Sequence, residues 1–281
     1  MSDPAAGQHP FDEATALRPG DQQVAGQWEG RTHPAYANMV GPFGGVTAAQ
    51  MLAAVMKHPA RLGEPIALTV NYAAGLAEGA FRVTAVPART NRSTQHWTIE
   101  LRQTGADGLD SVAATATAVT AQRRQTWSAV DLPMPRVEAP QAVPAAVLAR
   151  AVAWIERYEM RPLHGHMPQV WDGSESESLT QLWMRDNPPR ALDFLSLTAL
   201  ADVFYPRVWR RRATMTPVGT VSMTVYFHVA QAELSATGQG YVLGQARSQS
   251  FFNGFFDQSA QLWNQAGHLL ATTHQIVYFK E

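Results

Sequence analysis

The order of sequence elements in this chain of 281 residues occurs twice. Phe43-Gly44-Gly45 opens an apolar helix that is followed by strand-forming segments, and a second apolar stretch around Asp202 is followed by similar segments. The closing segments 111–117 and 269–275 align without a gap, which pairs Thr117 with Gln275. A repeat this long indicates a duplicated domain, because solenoid units recur every ~20–50 residues. One copy of a duplicated domain can keep reactive side chains while the other fills the same positions with inert ones.

Composition narrows the classes of function. Hydrophobic residues make up 46% of the chain, which is enough for substantial cores. The absence of cysteine excludes a disulfide framework and a thiolate nucleophile. A formal net charge of −1 gives no general attraction to nucleic acid or to an anionic membrane. Residues 1–8 do not have the pattern of a signal peptide, and no segment has ~18 uninterrupted apolar residues. We therefore expect a soluble, cytoplasmic protein.

Patterning along the chain predicts an α+β protein. The predicted units are a loosely ordered lead-in over 1–23, a first domain over 24–122, a proline-rich linker over 123–144 and a second domain over 145–281. The predicted helices cover 46–56, 145–155 and 191–204, and the predicted strands cover 24–31, 66–73, 81–89, 94–103, 112–120, 158–161, 179–184, 218–228, 241–252, 255–265 and 268–279. The helix over 46–56 is apolar nearly all round, which indicates burial. An antiparallel sheet that curls round the long helix of each half would provide this burial.

An apolar helix led by Phe-Gly-Gly and wrapped by an antiparallel sheet, present twice, resembles the double hotdog fold. More specifically, the chain resembles the type II acyl-CoA thioesterase family. The resemblance covers roughly residues 24–281. The residues that carry it are Gly41-Pro42-Phe43-Gly44-Gly45, Ala48-Ala49-Gln50, Asn91-Arg92-Ser93, Leu200-Ala201-Asp202, Thr220 and Ala271-Thr272-Thr273-His274-Gln275.

The resemblance implies an active site in the second copy. In that family an Asp, a Thr and a Gln hold the water that attacks the thioester, and they correspond here to Asp202, Thr220 and Gln275. The family commonly has an Asp-His pair after its Thr, where this chain has Val221-Ser222-Met223, so Ser222 or Thr224 is an alternative hydroxyl. The substrate would be an acyl-CoA. Coenzyme A would enter as part of that substrate, no separate cofactor is implied, and a homo-oligomer is plausible for the family.

The residues themselves favour the same chemistry. The chain has neither cysteine nor a Gly-x-Ser-x-Gly elbow, so a covalent route lacks its nucleophile and a carboxylate-activated water is the economical alternative. Asp202 lies in an apolar stretch, where burial would raise its pKa and make it a better base near neutral pH. A helix-end Asp that faces solvent is the competing interpretation. Gln275 lies in an apolar strand, and without the family resemblance an edge or surface glutamine is the favoured interpretation.

Five further residues are candidates for substrate binding. Gly44 and Gly45 could offer backbone N–H groups to an oxyanion, or could simply allow tight helix packing. Gln50 could line a substrate tunnel. Arg92 and Arg210, the latter in the run 210–212, could bind the phosphates of coenzyme A, although charge runs are more often solvated faces.

Histidine positions do not predict a metal site. His164 and His166 have no third ligand at metal-binding spacing. His228 and His274 lie near the proposed centre and are interpreted mainly as structural.

Two other functions stay open at the level of sequence. A hotdog hydratase or dehydratase would need an acidic residue paired with a histidine across a cleft. A non-catalytic acyl-thioester binding protein is the other alternative, because Thr220 lacks the Asp-His pair that commonly follows it in the family. Acyl chain length depends on tunnel depth, which the sequence does not define.

Overall fold

The computed structural model describes residues 8–146 and 152–281. Its α-helices are α1 (Pro10–Ala14), α2 (Gly44–Lys57), α3 (Phe194–Leu200), α4 (Arg207–Arg211) and α5 (Gln231–Thr237). The strands of the first half are β1 (Arg18–Pro19), β2 (Gln27–Arg31), β3 (Glu64–Tyr72), β4 (Ala80–Thr90), β5 (Thr94–Thr104) and β6 (Asp110–Ala121). Those of the second half are β7 (Tyr158–His164), β8 (Thr180–Asp186), β9 (Val218–Phe227), β10 (Val242–Arg247), β11 (Phe251–Phe252), β12 (Phe255–Asn264) and β13 (Leu269–Phe279). No helix in the described part of the chain is both long and apolar enough to span a membrane.

The strands form one continuous antiparallel sheet. Its order is β1-β2-β4-β5-β6-β3-β9-β13-β12-β10-β8-β7, with β11 paired to β12. The two halves meet where β3 pairs with β9, from Ala67 opposite Tyr226 to Asn71 opposite Ser222. The two predicted sheets are therefore fused edge to edge into one, and we call this junction the seam.

Helix α2 is buried as its composition predicts. Every residue from Gly45 to Val55 is buried, and the helix packs against α3 and against strands β2 to β6. The close approach of the two helices requires a glycine at position 45. A methyl group there would lie 2.7 Å from the carbonyl oxygen of Ala199 and 2.7 Å from the ring of Phe43. The absence of that side chain lets the helices of the two halves touch.

Helix α3 is shorter than the predicted helix over 191–204. Asp193 caps its N-terminus, because the Asp193 side chain accepts a hydrogen bond from the Ser196 N–H at 2.8 Å. The helix ends at Leu200, and Pro206 follows before the short helix α4. Helix α5 was not predicted. Its signals are Glu233, whose carboxylate accepts from the Ala230 N–H at 2.9 Å, and Gly238 just after its end.

The strand predictions agree with the structure to within a few residues, with one exception. The predicted strand 241–252 is interrupted between Arg247 and Phe251. There the Asp257 carboxylate accepts hydrogen bonds from the N–H groups of Gln249 and Ser250, at 2.9 and 2.8 Å. Those backbone groups are turned away from a sheet partner, so the strand splits into β10 and β11.

The segments outside the repeat pack more closely than predicted. In the lead-in, helix α1 is ordered, and Phe11 is fully buried against Tyr36. Arg190 of the second half pairs with Asp12 of α1 at 2.7 Å. The predicted linker 123–144 contains a 3₁₀ turn and inserts Val143 among the tryptophans of the second half. Part of the predicted helix over 145–155, namely 147–151, lies outside the described residues, and a 3₁₀ helix covers Ala153–Arg157.

Candidate active site

Asp202 lies in the turn directly after α3, not inside the helix as predicted. Its N–H bonds to the carbonyl oxygen of Ala199 at 3.1 Å. Its carboxylate lies beside the N-terminus of α2, with Oδ2 2.8 Å from the position that a Gly44 Cβ would take, and the Gly45 N–H favours its charged form. The carboxylate thus follows the negative end of one short helix and faces the positive end of a longer one. The first half therefore supplies part of the environment of an acid that belongs to the second.

Gln275 and Thr220 complete a hydrogen-bonded chain to Asp202. The Gln275 Nε2 donates to Asp202 Oδ1 at 2.9 Å. The Thr220 hydroxyl donates to Gln275 Oε1 at 3.5 Å. Gln275 is only 3% exposed, so its amide is oriented by these two bonds rather than by water. The structure thus brings together three residues that are separated by up to 73 positions in sequence.

A β-bulge in β9 turns Thr220 toward Gln275. Opposite β13, Met223 pairs with Gln275 and Ser222 pairs with Ile276, but Thr220 pairs with Val277, which leaves Val221 as an extra residue. A regular strand would put Thr220 on the same face as Ser222, because side chains alternate. The extra residue reverses that alternation, so Thr220 shares the inner face with Gln275.

The two alternative hydroxyls are on the other side of the sheet. Ser222 donates to Asn71 Oδ1 at 2.9 Å, and the hydroxyls of Thr224 and Thr69 are 3.0 Å apart. Both bonds cross the seam on the outer face. They tie the halves together and do not approach Asp202.

Burial governs the charge of Asp202. Desolvation raises the pKa of Asp202 to about 7, although the hydrogen bonds from Gln275 and Gly45 act in the opposite direction by favouring the carboxylate. A carboxyl group with this pKa is half ionised near neutral pH. It can therefore take up and release a proton under ordinary assay conditions.

Asp202 and Tyr72 both lie close to Gly44. A methyl group added at Gly44 would lie 2.8 Å from Asp202 Oδ2 and 3.5 Å from Tyr72 Oη. Tyr72, at the end of β3, donates its hydroxyl hydrogen bond to the Gly44 carbonyl oxygen at 2.9 Å. Tyr72 was not among the residues predicted for the site. Its position in the segment 68–72, on the same face as buried Leu68 and Val70, is the signal that could have found it.

The hydrogen bonds of Gln50 go to residues outside this site. Its side chain is buried, and its Nε2 donates to the carbonyl oxygen of Ala14 at 2.7 Å. Gln50 thus holds the lead-in against α2, and its role in lining a tunnel stays a prediction.

The repeat alignment of Thr117 with Gln275 is wrong by one position. Thr117 is exposed on the outer face, whereas Gln275 is buried on the inner one. A slip of one residue exchanges the two faces of a strand. The neighbouring inner-face positions of β6 are Ala116 and Ala118, which are also inert.

Arg92 and Arg210 lie outside the hydrogen-bonded site. Arg92 is exposed in the β4–β5 turn, and the register places this turn beside the start of β3, roughly 25 Å along the strand from Tyr72. Arg210 hydrogen-bonds Ser176. Its neighbours Arg211 and Arg212 pair with Glu175 and Glu281 at the rim of a cavity of about 840 Å³. Phosphate binding by Arg92 or Arg210 stays a prediction.

The histidines near the site have other partners. The rings of His228 and His274 bond to Thr272 and Ser259, at 2.9 and 3.3 Å. His274 is on the outer face of β13, opposite to Gln275. Within residues 8–146 and 152–281, no cluster of three or more His, Asp or Glu side chains could hold a metal ion.

Two family models match the chain. The model described as the acyl-CoA thioesterase N-terminal domain matches residues 33–121, and the model of the acyl-CoA thioesterase C-terminal domain matches residues 133–279. A search of curated proteins found no match.

Several solved structures have the same fold. A conserved protein of unknown function with a hotdog fold from Alicyclobacillus acidocaldarius is 44% identical, with a TM-score of 0.90, and the match covers 98% of this chain and 99% of that one. The tesB protein of Mycobacterium avium subs paratuberculosis is 18% identical, with a TM-score of 0.76 and coverage of 98% and 100%. The acyl-CoA thioesterase II TesB2 of Mycobacterium marinum is 17% identical, with a TM-score of 0.72 and coverage of 96% and 98%. At these identities the last two comparisons establish the fold alone.

Proposed function

The chain belongs to the acyl-CoA thioesterase family, and from that membership we propose that it hydrolyses an acyl-CoA to the free acid and coenzyme A. The observation that carries the proposal is the buried Asp202 carboxyl, whose pKa burial raises to about 7, joined to Gln275 and Thr220 by hydrogen bonds. A base whose pKa lies near the operating pH is well suited to activate water.

In the proposed reaction Asp202 acts as a general base. Its Oδ2 lies 2.8 Å from the position that a Gly44 Cβ would take, while Oδ1 is held by Gln275. A water bound at Oδ2 gives one proton to the carboxylate as its oxygen attacks the thioester carbonyl carbon. The carbonyl electron pair moves onto oxygen and forms a tetrahedral oxyanion. Thr220 orients the amide of Gln275, and Gln275 orients the carboxylate.

Donors for the oxyanion are available beside the acid. The first N–H groups of a helix have no partner within the helix, and Phe43 at the cap of α2 provides no side-chain hydrogen bond. The Gly44 N–H is therefore the proposed donor, together with the second Nε2 hydrogen of Gln275. Collapse of the oxyanion breaks the C–S bond, and the leaving sulfur takes the proton from Asp202. The products are a carboxylic acid and a thiol, and Asp202 is ready for another cycle.

The contacts favour hydrolysis over hydration or dehydration. Hydratase chemistry would use a histidine together with an acid, but His228 and His274 bond to Thr272 and Ser259. The side-chain and helix-terminal partners of Asp202 in the described structure are Gln275 and Gly45. A glutamine and a backbone amide orient a carboxylate without competing for its proton. This arrangement suits a base that acts on water.

Further features follow from the proposal. We propose a double hotdog in which α2 and α3 are the two central helices, with domains over 24–122 and 145–281. Coenzyme A would arrive as part of the substrate, so that no separate cofactor is required. Pairing with further copies of the chain and a cytoplasmic location are likewise proposals.

Release of free thiol tests the proposed activity. The purified chain is incubated with acyl-CoAs from acetyl to palmitoyl, and the thiol is measured with a chromogenic disulfide. Stoichiometric thiol and acid from at least one chain length are expected. Saturable binding without turnover would instead support an acyl-thioester binding protein. Loss or gain of water across an enoyl bond without thiol release would support a hydratase.

A further inference from the structure

Tyr72 lies where the first half of the chain meets the site of the second. It is the last residue of β3, just beyond the five residue pairs that form the seam with β9. Leu68 and Val70 are buried against the helices, and alternation puts Tyr72 on that same face. The side chain therefore extends from the centre of the sheet toward the N-terminus of α2.

The hydroxyl of Tyr72 holds the first turn of α2. It donates to the Gly44 carbonyl oxygen at 2.9 Å. The N–H of the next residue, Gly45, favours the charged form of the Asp202 carboxylate. Gly44 and Gly45 share one peptide plane, so the atom that Tyr72 binds and the atom that binds Asp202 are parts of the same rigid unit.

Asp202 and Tyr72 both lie close to Gly44. A methyl group at Gly44 would meet Asp202 Oδ2 at 2.8 Å and Tyr72 Oη at 3.5 Å. Burial, and then the charge of Asp202, raise the pKa of Tyr72, so the phenol keeps its proton and remains a donor. Burial raises the pKa of Tyr158 of β7 well above its ordinary value, and the charges of Asp186 and Asp202 act in the same direction.

We propose that Tyr72 is a positioning residue that fixes the Gly44–Gly45 peptide so that the Gly45 N–H is aimed at the Asp202 carboxylate. This inference rests on the proposed function for its effect on turnover, although the hydrogen bonds themselves do not depend on that function. When the tyrosine hydroxyl is lost, the Gly44–Gly45 peptide stays within α2 but loses the side-chain bond that anchors it, so its N–H is held less closely against the carboxylate. Because this N–H favours the charged form, the pKa of Asp202 rises further.

Tyr72→Phe tests the proposal, with Tyr226→Phe as the matched control. Tyr226 is 51% exposed on the outer face of β9. In Y72F we expect kcat to fall about 10-fold, the range for a lost hydrogen bond. The acid limb of the pH–rate profile should move to higher pH by about half a unit or more, with little change in KM or in the thermal midpoint. Y226F should match the parent in every readout.

A second measurement separates this proposal from the proposed function. The midpoint of the Asp202 carboxyl is titrated by ¹³C NMR in the parent and in Y72F, with D202N used to assign the signal. A higher midpoint in Y72F supports the positioning role even if no acyl-CoA is hydrolysed. An unchanged midpoint overturns the role, including the case where kcat falls. If Y72F does not fold, Tyr72→Met also removes the hydroxyl while filling the space, and the same outcomes apply.

Discussion

At the scale of single residues, the site depends on one carboxyl group whose surroundings have opposing effects. Burial disfavours the charge of Asp202, while the Gln275 amide and the Gly45 N–H favour it. The balance leaves the pKa at about 7, which a solvated aspartate would not reach. The two glycines opposite this carboxylate contribute differently. Gly44 leaves room for Asp202 itself, whereas Gly45 leaves room for the backbone of α3.

Alanine at each glycine should separate these contributions. In Gly44→Ala the new methyl group would lie 2.8 Å from Asp202 Oδ2, so we expect turnover to fall by ~100-fold while the thermal midpoint stays within a few degrees. In Gly45→Ala the methyl group meets the Ala199 carbonyl oxygen at 2.7 Å, so we expect a loss of stability of about 1–3 kcal/mol. Thiol release and urea unfolding measure the two effects. Equal loss of stability in both variants would contradict this division.

At the scale of elements, the bulge at Val221 determines which hydroxyl reaches the site. Thr220 faces Gln275 only because β9 contains one residue more than β13 over this stretch. Bulges are common beside active sites, where they redirect a side chain. Without the bulge at Val221, the hydroxyl residues Thr220, Ser222 and Thr224 would share one face of the sheet.

Thr220→Val and Thr224→Val compare the two faces of β9. Thr220 donates to Gln275 over a long 3.5 Å bond, so T220V should lower kcat by about 5- to 10-fold. T224V removes a bond to Thr69 on the outer face, and its activity should stay within two-fold of the parent. Steady-state kinetics with one acyl-CoA measure kcat for both variants. A larger effect from T224V would show that the outer face takes part.

Sequence patterns predicted the elements better than their ends. The apolar run after Phe43 and the alternation in β5 mark a buried helix and a half-buried strand, and both are confirmed. Both ends of α3 were missed, because the Asp193 cap starts the helix at Phe194 and the chain leaves it at Ala201, well before Pro206. The site residues Asp202, Thr220 and Gln275 were named from a resemblance. The bulge and the contacts of Tyr72 arise from pairing between distant strands, which local sequence does not reveal.

At the scale of the whole molecule, two buried carboxyl groups link folding to pH. Burial raises the pKa of Asp202 to about 7 and that of Asp186 to about 6, both above the ordinary value of 3.8. Between pH 4 and 7 the folded state therefore binds more protons than the unfolded state. The stability from these groups is fully present below about pH 4 and is lost as the pH rises to 7. Glu159 links folding to pH at lower pH values. Burial would raise its pKa, but hydrogen bonds from Tyr241 and two arginines outweigh burial and lower the pKa to about 2.

Urea unfolding between pH 5 and pH 8 tests this linkage. We expect the free energy of unfolding to be larger at pH 5 than at pH 8. Asp202→Asn and Asp186→Asn should each flatten the dependence and stabilise the protein at pH 8, because each removes a carboxylate that is costly to bury. A pH dependence in both variants as steep as that of the parent would exclude these two groups as its source.

The effect of Asp202→Asn on thioester hydrolysis tests whether Asp202 is the general base. The change keeps the shape of the side chain and removes the base. The matched control is Asp186→Asn, which alters a buried carboxyl that bonds to Ser196. We predict that D202N lowers kcat by ~100-fold or more while D186N stays within a few-fold of the parent. Full activity in D202N, measured as thiol release on an acyl-CoA that the parent hydrolyses, would contradict the account.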